Sequence, residues 1–242
     1  MKKILILALL VLSPYIYSQP KFTINVFGGY NLPLPDLKGD VSDSVDREGT
    51  YVTKNGFNAG LIGKYAVDKK GMFRITLGGS YNSFSGEGDY IHTNNVSVHN
   101  KINIITIGAG AEYAFLPKGK ANPFLGVDLT GNFFSGEYEE TTTAITDHDE
   151  GTEIFKLKSA SRFGIGVGGG VDFAFSKNIG GVVGFKYHLS NLIGRDYDSI
   201  AAVGEYNLND KESGSISSKN ISYFQFYAGV SFYFGHPKKM KK

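Results

Sequence analysis

The segment Ser222-Tyr-Phe-Gln-Phe-Tyr-Ala-Gly-Val-Ser-Phe-Tyr-Phe234 decides how the rest of this 242-residue chain is read. Positions 224, 226, 228, 230, 232 and 234 are Phe, Phe, Ala, Val, Phe and Phe. One face of this period-2 segment is therefore apolar from end to end and closes on an aromatic ring. At 13 residues it is long enough to cross a bilayer as a tilted strand, which needs roughly 9–11.

Seven further segments repeat the pattern. The greasy faces are Phe22, Ile24, Val26 and Tyr30; Phe57, Ala59, Leu61 and Tyr65; Phe73, Ile75, Leu77 and Tyr81; Ile105, Ile107, Ala109, Ala111, Tyr113 and Phe115. They continue with Leu125, Val127, Leu129 and Phe133; Phe163, Ile165, Val167, Val171, Phe173 and Phe175; Val183, Phe185, Tyr187 and Leu189. The opposite faces are small or polar, as in Arg162, Gly164, Gly166, Gly168, Gly170 and Asp172, or Thr106, Gly108, Gly110 and Glu112. A narrow lumen admits only modest side chains, so the glycine-rich face points inward and the aromatic and aliphatic face outward. In water that exterior would aggregate, whereas in lipid it is an appropriate coat. The pattern predicts an all-β fold, an eight-stranded antiparallel up-and-down transmembrane β-barrel.

The ends of the chain agree with this placement. Lys2 and Lys3, the apolar run from Ile4 to Leu12, and Ile16-Tyr17-Ser18 before Gln19 predict a cleaved signal peptide over 1–18, a barrel over 19–235 and a basic tail over 236–242. No apolar run reaches the roughly 20 residues of a membrane-spanning helix. With no Cys, the chain has no disulfide, thiolate metal site or Cys nucleophile.

Connections alternate in length. Asp68-Lys69-Lys70-Gly71, Pro117-Lys118-Gly119-Lys120 and Ser176-Lys177-Asn178 read as tight turns, and long loops are expected near 32–52, 134–158 and 191–219. Short turns and both termini then face the periplasm of a Gram-negative cell and the long loops face outward. Of the 25 basic residues, two lie in the leader and four in the tail, leaving 19 against 23 acidic residues. Asp36, Asp40, Asp43, Asp46 and Glu48 make the first loop acidic, as Glu137, Glu139, Glu140, Asp147, Asp149, Glu150 and Glu153 do the third.

Taken together, these residues resemble the small outer-membrane β-barrel proteins, the OmpA-like or porin-like outer membrane protein β-barrel domain families. The resemblance covers the mature chain, including Pro123-Phe-Leu-Gly-Val and the final aromatic strand. It implies contact with outer-membrane lipid and lipopolysaccharide, and insertion by the barrel assembly machinery, which would read Phe224, Phe226, Phe232 and Phe234. Such chains usually stop at the terminal Phe, whereas eight residues follow Phe234 here.

Candidate sites are few. Gly164-Ile-Gly166-Val-Gly-Gly169 has dinucleotide-binding spacing, but that chemistry needs a strand, a turn and a helix, and here the strand pattern runs through both flanks, so no cofactor is expected. Lys64, Arg74, Glu112 and Asp172 fall on the lumen face near the turn ends of their strands, with Asp128 and Lys186 nearer mid-barrel. Buried charges must pair, so these six read as a lumen charge network that fills the barrel. Lys186-Tyr-His188-Leu-Ser190-Asn191 is similar to the His-x-Ser-Asn signature of the lipid A 3-O-deacylases, which implies His188 as general base and Ser190 as nucleophile, with an acid from Asp196, Asp198 or Glu205. Alternation instead turns His188 and Ser190 toward the lumen, although a slip of one residue would reverse this. Asp147-His148-Asp149-Glu150 lacks EF-hand order, and His92 and His99 lack a partner at ligand spacing, so no metal is expected. The reading is a non-enzymatic barrel with a structural or surface-interaction role and acidic extracellular loops that could take an extracellular ligand. Nucleic acid is not an expected partner. The alternatives are a lipid A 3-O-deacylase-like enzyme and a small solute channel.

Overall fold

A computed structural model of the chain describes residues 20–39, 51–90, 96–142, 151–214 and 217–235. These contain ten strands and no helix. They are β1 (Phe22–Pro33), β2 (Asn55–Ala66), β3 (Phe73–Tyr90), β4 (Val96–Ala114), β5 (Ala121–Thr142), β6 (Gly151–Leu157), β7 (Ala160–Ala174), β8 (Ile179–Ile193), β9 (Glu205–Tyr206) and β10 (Ser222–Phe234). The leader and tail expected over 1–18 and 236–242, His92, and Asp147 to Glu150 lie outside the described residues.

Strand order runs β4-β3-β2-β1-β10-β8-β7-β5, and a β4–β5 pairing closes these eight into a ring. All ring pairs are antiparallel. Closure between first and last strands sets Phe22 opposite Phe234, with the Lys21 N–H donating to the Phe234 carbonyl at 3.0 Å. A closed ring leaves its wall no unpaired edge, which is what a backbone in lipid requires.

The alternation sorts side chains as a lipid-facing barrel demands. Val26, Leu61, Leu77, Ile107, Leu129, Val167 and Val183 are exposed on the outside. Thr23, Asn25, Asn58, Thr76, Asn82, Thr106, Asn132 and Asp172 are buried inside. The aromatic residues of the closing strand follow this phase: Phe226, Phe232 and Phe234 are exposed outward, while Tyr223, Tyr227 and Tyr233 are buried.

Glycines let the strands approach. A Cβ on Gly168 would stand 2.3 Å from the Phe185 carbonyl oxygen, and one on Gly166 would stand 3.0 Å from Cδ of Lys186. Their absence gives the β8 side chains room to lie across β7. Gly164 to Gly169 thus sits wholly inside β7, with strand on both sides.

The connection after β5 differs from the loop expected, and the hairpin of β3 and β4 extends alongside it. β3 and β4 stay paired as far as Tyr90↔Val96, and β5 continues to Thr142, where it pairs with β6 from Gly151. Most of 134–158 is therefore strand. Alternation persists there, with Phe134 buried and Glu137 and Glu139 on the other face, but beyond the lipid the outward face carries charge, so apolar periodicity no longer marks it. The short turns are as compact as their sequence requires. The Asp68 carboxylate accepts the N–H groups of Lys70 at 3.0 Å and Phe73 at 2.9 Å. Although desolvation opposes it, these backbone donors hold the carboxyl below the ordinary aspartate range.

Candidate functional site

The lumen is built in layers. At the turn end, β2, β3, β4 and β7 point Lys64, Arg74, Glu112 and Asp172 at one another. Lys64 Nζ lies 3.1 Å from Oε2 of Glu112 and 3.1 Å from Oδ1 of Asp172. Arg74 Nη1 lies 2.8 Å from Oδ2 of Asp172, and its Nη2 pairs with Glu112. Two cations and two anions alternate in a closed, neutral quartet whose side chains are all less than a tenth exposed. Phe124 supplies a ring face 3.8 Å below the Lys64 ammonium. Beyond it, Phe27, Phe124, Val182 and Tyr227 form an apolar layer across the lumen.

Asp128 and Lys186 belong to a separate pair farther in. Their side chains meet, and Thr76 donates its hydroxyl to Asp128 at 2.8 Å. A cavity of about 50 Å³, lined among others by Lys64, Glu112, Asp128, Lys186, His188 and Gln225, borders both the quartet and the pair. Next comes an amide girdle. Asn58 donates to Asn31 at 2.9 Å, Asn31 and Gln225 both donate to Asn82 at 3.1 Å, and Thr106 donates to Asn132 at 2.9 Å. Side chains from six strands are thereby tied across the bore.

At the loop end the lumen closes with apolar groups. Leu37, Tyr51, Phe84, Ile102, Ile104, Phe134, Leu157, Leu208, Ile221 and Tyr223 pack into one buried cluster. Phe84, Ile102, Ile104, Phe134 and Tyr223 come from the barrel wall, Leu157 from the β6 extension, and Leu37, Tyr51 and Leu208 from connections folded over the mouth. Tyr51 donates its hydroxyl to the Leu208 carbonyl at 2.7 Å. Burial, followed by the Asp210 carboxylate, holds this phenol well above its ordinary pKa. Sequence reading missed this cap. The signal was the pairing of large apolar residues on the inward face, Ile102 and Ile104, with Ile105 and Ile107 outward on the same strand.

Arg162 pins the last long connection. It donates from Nε to Asp210 at 3.1 Å and from Nη2 to Asp210 at 2.9 Å, and it also meets Asp196. Asn191 completes the pin by donating to Asp210 at 2.8 Å and to the Lys219 carbonyl at 2.8 Å, while accepting the Ile221 N–H at 2.8 Å.

The His188-Leu-Ser190-Asn191 string has a different place from a lipid-facing catalytic pair. His188 and Ser190 are both buried in the lumen, at 3% and 0% exposure. His188 stacks on Tyr223 with centroids 4.8 Å apart and lies 3.3 Å from Gln225 Oε1. Of the three candidate acids, Asp196 is engaged by Arg162, Asp198 lies 3.7 Å from Lys158, and Glu205 pairs in β9 with Lys156 of β6. The β7–β8 register shifts between Phe163 and Ile165, so Asn191 turns inward beside Ser190 and alternation is broken there. His99, on the outer face, lies 3.2 Å from Glu87 and opposite Glu139. Among the described residues no group of three or more His, Cys, Asp and Glu side chains is placed to hold a metal ion.

A ring of eight strands with a lipid-facing exterior can be set beside known proteins. The sequence model of the Opacity family porin proteins matches residues 77–209, more than half of the chain. The chain belongs to the opacity porin family. Its location is accordingly the outer membrane of a Gram-negative cell. Solved structures similar to this opacity-family barrel include OprG of Pseudomonas aeruginosa, with 12% identity over 90% of this chain and 99% of that one at a TM-score of 0.49. Neisserial surface protein A has 16% identity over 88% and 97% at a TM-score of 0.48. Ail, the attachment invasion locus protein of Yersinia pestis, has 11% identity over 88% and 99% at a TM-score of 0.38. No curated protein shows a significant match.

Proposed function

We propose that this opacity-family barrel is a non-enzymatic surface-interaction protein, a sealed scaffold that holds its outer hairpins and connections toward the medium with its turns and termini in the periplasm. The observation that carries the reading is the double closure of the lumen. The Lys64–Arg74–Glu112–Asp172 quartet occupies the turn end and the Leu37–Tyr223 cluster the loop end, with the amide girdle between. A bore occupied by side chains at these three levels argues against passive diffusion. Burial of His188 and Ser190, away from any acyl chain in the leaflet, argues against lipid A deacylation. Structural effort goes instead to the loop end, where β3 to β6 run on as a four-stranded wall and the last connection is pinned by Arg162 and Asn191. A hydrogen-bonded wall and a pinned last connection suit recognition, because little order is lost on binding there. Acidic residues on and around this wall would favour a basic extracellular ligand. The barrel assembly machinery would read the outward aromatics Phe224, Phe226, Phe232 and Phe234, and lipopolysaccharide would surround the wall.

Planar bilayers test the closure: wild-type protein is expected to show no conductance steps, and sustained openings would overturn the sealed reading. The surface role is tested with cells displaying either the wild-type chain or a variant in which 87–99 is replaced by Asn-Gly. These residues lie between the Gly86↔Asn100 pair, so a two-residue hairpin can close the gap. Adhesion to protein- and glycan-coated surfaces should fall in the variant. Adhesion no greater than that of cells lacking the protein would refute the role.

A further inference from the structure

The turn end of the barrel carries a charge pattern that the sealed lumen does not explain. Six lysines, Lys21, Lys69, Lys70, Lys118, Lys120 and Lys177, stand just before the first strand and in the three turns. Among the described residues of that rim the only carboxylate is Asp68, already occupied by backbone N–H groups of its own turn. The quartet just inside is neutral and adds nothing. At the loop end carboxylates are interleaved with the cations, as where Glu137 stands opposite Lys101 on one side and Lys156 on the other.

The rim lysines follow an aromatic border. Phe22, Tyr65, Phe73, Phe115, Phe175 and Phe234 are exposed on the outer wall within a few residues of the turns. Lys21 marks the junction, its Nζ 5.4 Å from the centroid of the Tyr65 ring. Aromatic girdles sit at the hydrocarbon boundary, and lysine stems lie along the wall while their ammonium groups reach the headgroup level. The lysines also encircle the rim, following β2, β4 and β7 and preceding β1, rather than forming one track. A surrounding sheet of headgroups fits that distribution, and a single polymer strand does not.

We infer that this rim is a binding surface for anionic phospholipid of the inner leaflet, with the rim ammonium groups holding headgroup phosphates around the periplasmic end. Each lysine at an anionic surface strengthens attachment about fivefold. The ring therefore selects phosphatidylglycerol-like over zwitterionic headgroups and fixes the depth and tilt of the barrel.

The test is native mass spectrometry of the full chain released from vesicles holding equal amounts of phosphatidylethanolamine and phosphatidylglycerol. Wild-type protein should retain phosphatidylglycerol preferentially, and the preference should collapse at high salt. The Lys69→Gln/Lys70→Gln/Lys118→Gln variant should lose about fivefold or more of it. The loop-end variant Lys101→Gln/Lys156→Gln/Lys158→Gln should keep it. Both are first checked for insertion by heat-dependent gel mobility, and the salt titration on wild type stands even if a variant fails that check. Absence of a preference, or equal loss in both variants, would overturn the inference. So would rim-dependent binding to purified peptidoglycan without lipid preference, which would make an acidic polymer the occupant.

Discussion

Replacing Asp172 by Asn tests the quartet most directly. Asp172 accepts from Lys64 at 3.1 and 3.2 Å and from Arg74 at 2.8 Å, and its side chain is 6% exposed. The amide has nearly the same shape but no charge, so two cations would face Glu112 alone. Removing one partner of a buried ion pair costs about 3–5 kcal/mol, because the remaining charge stays out of water uncompensated. Lys64→Met should cost a similar amount for the opposite reason, leaving Glu112 and Asp172 with Arg74 alone. The double variant returns to neutrality through Arg74 and Glu112. It should be less destabilised than the sum of the singles by about 2–3 kcal/mol, the coupling expected of residues in direct contact. The chain has no Trp, so folded fraction is best read from cold gel mobility across a urea series in lipid. An Asp172→Asn variant within about 1 kcal/mol of wild type would refute the reasoning, as would strict additivity.

Other perturbations separate wall, lumen and loops. Val167→Arg places a charge on the lipid face and should cost about 2–4 kcal/mol, whereas Gly168→Ala should cost about 1–3 kcal/mol through its clash with the Phe185 carbonyl; a harmless Val167→Arg would mean the inside-outside phase is wrong. Asn191→Ala leaves Asp210 and the Ile221 N–H short of a partner, should cost about 1–3 kcal/mol, and should expose Lys211 to trypsin on intact cells. A cysteine at Glu205 should react with an impermeant maleimide on intact cells and one at Lys118 should not; equal labelling would reverse the orientation. Purified protein in lipid A micelles should release no acyl chain, and Ser190→Ala should insert normally, whereas Ser190-dependent release would defeat the scaffold reading.

The sequence alone determined the wall. A strand's side chains alternate whatever the strand pairs with, so Phe22 to Tyr30 or Phe163 to Phe175 declare a lipid face locally, and Asp68-Lys69-Lys70-Gly71 declares a turn. The same alternation put Lys64, Arg74, Glu112 and Asp172 in the lumen. What it could not supply was who meets whom. Lys64 and Asp172 are 108 positions apart on strands that share no ladder, and they touch only because the ring closes and brings opposite walls within one side-chain length. The loop-end cap was hidden for a related reason: Leu37, Tyr51, Leu208 and Ile221 lie in or beside connections where no period marks them, and packing over the mouth is what buries them. Asn191 shows the limit most sharply. Strict alternation turns it outward, but a two-residue irregularity against β7 rotates it into the lumen to hold Asp210, and such a bulge is set by the neighbouring strand's register rather than by the residues that form it.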